Sequence, residues 1–193
     1  MPSSVLLAGP RLEAVILAGG LGSRLGRDKS TLRLGGRRVM TLLRAACKEV
    51  GLPCRAVRED IVARCGPLGG ILTALASTSF EGCVVLSCDM PFVDAPLLAD
   101  LIRCASQRGR HRSWFVKDKE LFGFPGVVWR EERERVEGAI RGGRLGLQGL
   151  ARDLGAGSLQ VKRPDRYRLF NVNTPEDWRE ARRLWMGRCS GAV

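Results

Sequence analysis

No apolar run in this chain of 193 residues approaches the roughly 18 needed to cross a bilayer, which excludes a membrane-spanning helix. Aromatic residues are scarce, at 6%, and Tyr167 is the single tyrosine. Histidine is scarcer still: His111 stands alone, and the seven cysteines include no Cys-x-x-Cys pair. A zinc site of the usual ligand spacing is therefore not expected. Lysine is also rare, since 27 of the 32 basic residues are arginine. Residues 1–10 lack both the basic start and the long apolar stretch of a signal peptide, so no targeting segment is expected there.

The cysteines (Cys47, Cys54, Cys65, Cys83, Cys88, Cys104 and Cys189) are odd in number and lie mostly in apolar surroundings. They read as small core residues of a protein in a reducing cytoplasm, with a Cys47–Cys54 disulfide left open. The hydrophobic fraction, 45%, is enough for one domain with a sizeable core. The expectation is a single domain over 1–193, with 1–12 and 189–193 as flexible ends. A net charge of +12 at pH 7 favours anionic partners. The plainer reading of that charge is a solvated surface.

Two short apolar runs, Ala14–Ala18 and Cys83–Cys88, have the look of strands buried on both faces of a parallel sheet. Between them, Val39, Leu42, Leu43, Ala46, Cys47 and Val50 recur with helical spacing. Pro53 to Asp60 allows a short strand, and Gly66-Pro67 opens a second helix bearing Leu68, Ile71, Leu72 and Leu75. A helix with Leu97, Leu98, Leu101 and Ile102 follows Asp89. Ser113 to Val116 and Gly126 to Trp129 are expected strands, Arg130 to Arg141 a charged helix, and Leu147, Leu150, Ala151 and Leu154 one face of another helix. Tyr167 to Val172 is expected as a last strand. Thr174-Pro175-Glu176-Asp177 then opens a final helix, with Thr174 as N-cap and Asp177 reaching back. This alternation predicts an α/β three-layer sandwich, a mostly parallel sheet with helices on both faces. Ligands in such folds bind beyond the carboxyl ends of the strands.

Three strand ends carry suitable chemistry. The densest is Gly19-Gly20-Leu21-Gly22-Ser23-Arg24-Leu25-Gly26-Arg27-Asp28-Lys29. It is neither a dinucleotide fingerprint, because Gly26 comes one residue too late, nor a Walker A loop, because Arg27 and Asp28 separate Gly26 from Lys29. Its glycines would still let main-chain N–H groups converge on phosphate oxygens, with Arg24, Arg27 and Lys29 supplying positive charge. Asp89 ends the second buried run and could hold Mg2+ bridged to phosphate. Asn171-Val172-Asn173 marks the third end.

Together these pieces resemble the molybdenum cofactor guanylyltransferases of the nucleotide-diphospho-sugar transferase-like fold, a Rossmann-like α/β class. The matching residues are Leu17-Ala18-Gly19-Gly20 with Ser23 to Lys29, Gly66-Pro67-Leu68-Gly69-Gly70-Ile71, Cys88-Asp89-Met90-Pro91-Phe92, and Phe170 to Asp177. All four blocks stand in the family's order. The resemblance implies transfer of GMP from GTP to molybdenum-molybdopterin, giving the guanine dinucleotide cofactor and pyrophosphate. It implies that Leu17, Ala18, Gly19 and Gly20 contact the nucleotide, that Lys29 contacts its phosphates, and that Asp60 helps read the base; Arg24, from the charge of its loop, is expected to act with Lys29 and Asp89 in catalysis. Asp89 would hold Mg2+, and Asn171 and Asn173 would bind the acceptor. GTP and molybdenum-molybdopterin are the implied partners, alongside molybdopterin-handling proteins and acceptor molybdoenzymes in the cytoplasm, with no membrane and no specific nucleic acid.

The chain departs from the family pattern in two places. It is shorter between the first helix and Asp60, where the family has a further strand and helix, and Phe124-Pro125 stands where the family often has His-Pro. The alternatives are another nucleotidyltransferase of this fold acting on a different phosphorylated acceptor, or a noncatalytic relative that binds anions or nucleic acid. The last is disfavoured because Trp114, Trp129, Trp178 and Trp185 form no interleaved basic-aromatic stripe.

Overall fold

The computed structural model describes residues 10–19, 32–107 and 111–189. Eight strands occur among them: β1 (Leu12–Leu17), β2 (Arg33–Leu34), β3 (Arg37–Arg38), β4 (Cys54–Val57), β5 (Gly82–Ser87), β6 (Trp114–Asp118), β7 (Leu121–Trp129) and β8 (Gly157–Gln160). The helices are α1 (Val39–Glu49), α2 (Pro67–Ser77), α3 (Ala95–Ala105), α4 (Arg133–Arg141), α5 (Leu147–Asp153) and α6 (Pro175–Cys189). Six strands form one sheet in the order β4-β1-β5-β7-β6-β8, and β2 and β3 form a separate hairpin. Only β7 runs against its neighbours; the β4–β1, β1–β5 and β6–β8 pairs are parallel.

The sheet is buried on both faces, as the apolar runs require. On one face Ala14, Ile16, Val84 and Leu86 pack with Leu43 and Cys47 of α1, Leu98 and Leu101 of α3 and Ala181 of α6. On the other, Val15, Cys83 and Val85 pack with Leu68, Ile71 and Leu75 of α2, Val136 of α4 and Leu150 of α5. The three-layer sandwich expected from the sequence is what forms.

Three local expectations are corrected. Tyr167 to Val172 is not a strand: Asp165–Leu169 is a 3-10 turn, and the chain leaving it runs to the end of β5, where the Val172 N–H donates to the Asp89 carbonyl at 2.8 Å. Tyr167 and Phe170 both meet the Phe92 ring edge-on, so their apolar character serves this packing and not a sheet. β8 was not anticipated. The first three residues of the expected charged helix form a separate 3-10 turn, Arg130–Glu132, before α4. Cys47 and Cys54 are free thiols, and a hydrogen bond to Cys54, with burial behind it, raises the Cys47 thiol above its ordinary range.

Candidate active site at the carboxyl edge of the sheet

The carboxyl ends of β4, β1 and β5 are tied at one level. The Ala18 N–H donates to the Val57 carbonyl at 2.8 Å, and the Cys88 N–H donates to the Leu17 carbonyl at 3.2 Å. Ala18 and Gly19, which follow β1, therefore lie between the segments that carry Asp60 beyond β4 and Asp89 beyond β5. A cleft of about 830 Å3 opens there, lined by Leu17, Gly19, Asp60, Pro67, Ser87 and Phe124. That volume lies within the range of small-molecule sites.

Two glycines shape it by close approach. A Cβ on Gly19 would lie 2.7 Å from the Arg58 carbonyl oxygen, so only glycine lets the β1 turn pass the segment that carries Asp60. A Cβ on Gly69 would lie 2.8 Å from Asp60 Oδ2 and 2.9 Å from the Val62 carbonyl oxygen. The Gly69-Gly70 pair in the first turn of α2 is thus what lets Asp60 sit against the helix. The loop is pinned further by Thr73 Oγ1, which accepts from the Ile61 N–H at 2.9 Å and donates to the Gly69 carbonyl at 2.8 Å. Burial raises the Asp60 carboxyl above its ordinary range.

Asp89 is oriented by its own strand. The Ser87 hydroxyl donates to Asp89 Oδ1 at 2.5 Å. The Asp89 main chain holds Val172, so Asn171 and Asn173, both exposed, flank the residue bonded to it. Asp177 fixes the far side of this segment: its Oδ2 accepts from the N–H groups of Asn173 at 2.9 Å and Thr174 at 2.8 Å, while its own N–H donates to Thr174 Oγ1 at 3.1 Å. This is the reciprocal cap expected at the start of α6.

The structure thus brings Leu17, Ala18, Gly19, Asp60, Asp89, Asn171 and Asn173 to one edge of the sheet. Gly20, Arg24 and Lys29 lie outside the described residues. Among the residues that line the cleft, reasoning from the sequence missed Ser87, Arg58 and Arg64. Ser87 stands two residues before Asp89, a spacing that could have suggested it. Phe124 enters the cleft from β7, where the pairing with β6 shifts register between Phe115 and Val116. Just before it, the Gln148 amide exchanges two hydrogen bonds with the Phe122 main chain, at 2.9 and 2.7 Å. Arg58 and Arg64 also line the cleft.

A divalent cation is compatible with this edge only in company. Among the described residues no three His, Cys, Asp or Glu side chains gather into a ligand cluster. Mg2+ commonly takes one or two carboxylates and completes its shell with phosphate oxygens and water. The donor set at Asp89 fits a cation delivered with a polyphosphate.

The MobA-like NTP transferase domain matches residues 14–156. A molybdenum cofactor guanylyltransferase from Pseudomonas paraeruginosa is 31% identical over 197 aligned positions, covering 91% of this chain and 96% of that protein. A probable molybdenum cofactor guanylyltransferase from Opitutus terrae is 30% identical, with 89% and 95% covered. The crystal structure of molybdopterin-guanine dinucleotide biosynthesis protein A from Archaeoglobus fulgidus superposes with a TM-score of 0.71 at 21% identity, covering 93% of this chain and 99% of that one. The 2-C-methyl-D-erythritol 4-phosphate cytidylyltransferase from Thermus thermophilus superposes at 0.66 with 17% identity, covering 90% and 98%. At these identities the two structures establish the shared fold.

Proposed function

The chain belongs to the MobA-like NTP transferase family, and from that membership we propose that its cleft transfers GMP from GTP to molybdenum-molybdopterin, releasing pyrophosphate. The observation that supports the site assignment is that Asp60, which lines the cleft, and Asp89, two residues past the end of β5, follow the carboxyl ends of the two parallel strands that flank β1. In this reading the guanine lies toward β4 and the triphosphate toward β5. The ionised Asp60 carboxylate accepts from guanine N1–H and N2–H2, and Leu17, Ala18, Gly19 and Gly20 form the turn beneath the nucleoside. Arg24 and Lys29 neutralise phosphate charge. Asn171 and Asn173 hold the acceptor against the nucleotide through the Val172–Asp89 tie.

The reaction needs no protein nucleophile. An oxygen of the acceptor's terminal phosphate forms a bond to the α-phosphorus of GTP, and the bond from that phosphorus to the bridging β-oxygen breaks, with its electron pair leaving on pyrophosphate. Catalysis by this chain is then positioning and charge neutralisation. Mg2+, held by Asp89 together with phosphate oxygens, would stabilise the charge that builds on the leaving group. Ser87 keeps the Asp89 carboxylate aimed.

Among the described residues no helix is long and apolar enough to cross a membrane. The reading places the enzyme in the cytoplasm, working beside molybdopterin-handling proteins and the molybdoenzymes that take the product. The test is incubation with Mg2+, molybdenum-molybdopterin and GTP, CTP or ATP in turn, followed by mass analysis of the pterin. A pterin heavier by one GMP, formed with GTP far faster than with the other two, is expected. Equal products from all three nucleotides, or none from GTP, would overturn the reading.

A further inference from the structure

The cleft holds two groups that do not neutralise each other. Asp60 and Arg58 both line it, yet among the described residues neither joins an ion pair. The shift of the Asp60 carboxyl traces to burial alone, with no guanidinium contributing. The segment that carries both residues passes close to the β1 turn: a Cβ on Gly19 would lie 2.7 Å from the Arg58 main-chain carbonyl oxygen and 3.5 Å from Asp60 Oδ1. Elsewhere on the chain arginines near carboxylates do pair, as Arg55 does with Glu13 and Arg168 with Asp94. An exposed arginine and a carboxylate that line one concave site without pairing suit a ligand that presents donors on one edge and acceptors on another.

We propose that Arg58 reads the O6/N7 edge of guanine while Asp60 takes its N1/N2 edge, so that Arg58 is a specificity-determining residue of the nucleotide site. Guanine is the base that fits this pair. Its N1–H and N2–H2 are donors for a carboxylate, and O6 with N7 are adjacent acceptors matched by the guanidinium fork. Adenine reverses both ends: its N1 would face the carboxylate lone pairs, and its N6 amine would face the N–H groups of Arg58. The cleft therefore rejects adenine at two places. Arg64 is less suited, because it stands beyond Asp60 in the turn that leads to Gly66, whose Cβ position faces the Leu145 carbonyl at 3.4 Å on another loop.

This inference rests on the guanylyltransferase reading, and its test separates the two. Dissociation constants are measured by calorimetry for GTP, ATP, CTP, 7-deaza-GTP (which lacks N7) and ITP (which lacks the 2-amine). The proteins are wild type, Arg58→Ala, Arg58→Lys and Arg64→Ala. Arg58→Ala should weaken GTP about 10- to 100-fold, the size of a bidentate base contact. It should also abolish the wild-type preference for GTP over 7-deaza-GTP while keeping the preference for GTP over ITP, which belongs to Asp60. Arg58→Lys, with a single ammonium in place of the fork, should not restore the 7-deaza preference, and Arg64→Ala should retain it. An Arg58→Ala protein that binds GTP as tightly as wild type, or still discriminates against 7-deaza-GTP, overturns the assignment. If wild type itself binds GTP no better than ATP and CTP, the guanylyltransferase reading falls with it. If wild type selects GTP and only the Arg58 variants behave as wild type, Arg58 alone is wrong.

Discussion

The main-chain N–H of Val172 donates to the main-chain carbonyl of Asp89 at 2.8 Å. One residue thus does two jobs on two sets of atoms. The Asp89 carboxylate accepts from the Ser87 hydroxyl, and its carbonyl anchors the segment that carries Asn171 and Asn173. The separation between the two halves of the site is therefore set by backbone, which side-chain substitutions at Asp89 leave in place.

That division gives the first prediction. Asp89→Asn keeps the carbonyl that holds Val172 and nearly the same side-chain shape, so the melting temperature should change little and GTP should still bind. Product formation should fall by at least ~100-fold, the scale of losing one preorganised electrostatic group. Pyrophosphate release across a Mg2+ titration is the measurement. Turnover at the wild-type rate with an unchanged Mg2+ midpoint would remove Asp89 from the metal site.

Asp177 should separate acceptor binding from nucleotide binding. Its carboxylate accepts from the Asn173 and Thr174 N–H groups and completes the α6 cap. Asp177→Ala should cost about 1 kcal/mol of stability, as the loss of a helix cap does. With the carboxylate's hold on the Asn173 N–H removed, the KM for the pterin should rise while the Kd for GTP stays the same. A pterin KM equal to that of wild type would show that the Asn173 segment does not depend on this carboxylate.

The order of elements and the layer to which each helix belongs were legible because buried parallel strands and amphipathic helices leave strong periodic patterns. Ile16 and Val84, on opposite neighbours of the same sheet, illustrate how directly the runs convert to a core. Tyr167 to Val172 misled because an apolar, alternating stretch looks the same whether its backbone pairs in a sheet or wraps onto a ring such as Phe92. β8 escaped notice because an edge strand with a buried Gly157 and an exposed Ser158 has no apolar signature. At the site, Asp89 was reachable from its place at a strand end and Asp60 through the resemblance, whereas Arg58 gave no signal and Phe124 only that of a departure from the family's His-Pro. Their placement follows from the path of the loop after β4 and from a register shift in β7, which are tertiary facts. Gly69 stood within a quoted block, but its reason, room for the Asp60 carboxylate, is visible only in three dimensions.

Asp60 should show its burial through pH. Its carboxyl is raised in the folded protein, so the folded state is favoured below the unfolded-state value, and that contribution is lost as pH rises through the folded value. At neutral pH the charged side chain is therefore a small cost, and Asp60→Asn should fold with an equal or higher melting temperature. GTP binding needs the ionised form. Wild-type affinity should fall about tenfold per pH unit once pH drops below the raised value, beginning at a higher pH than an exposed aspartate would give. Asp60→Asn should bind GTP weakly and without that dependence. A wild-type affinity that stays flat down to the ordinary aspartate range of about 4 would contradict the role.

The last prediction concerns the strand order that places Asp60. Glu13, on β1, is buried under α2, and Arg55, on β4, clamps it with Nε 3.0 Å from Oε2 and Nη2 2.9 Å from Oε1, while Nη2 also donates to the Ala74 carbonyl at 3.1 Å. Cys83 lies beside the pair, and burial together with the Glu13 charge pushes its thiol up to about 12. Arg55→Ala would leave Glu13 in an apolar layer with only the weak Cys83 thiol donor beside it, at a cost of about 3 kcal/mol, the low end for a broken buried pair because Arg55 is partly open to water. Replacing both partners, Glu13→Leu with Arg55→Ala, removes the stranded charge and should recover much of that loss. Urea unfolding of the two singles and the double gives the coupling directly. The pair holds β4 to β1 but does not line the cleft, so well below the transition each variant should bind GTP like wild type. A double variant no more stable than Arg55→Ala would mean that the cost lies in lost packing and not in the unpaired carboxylate.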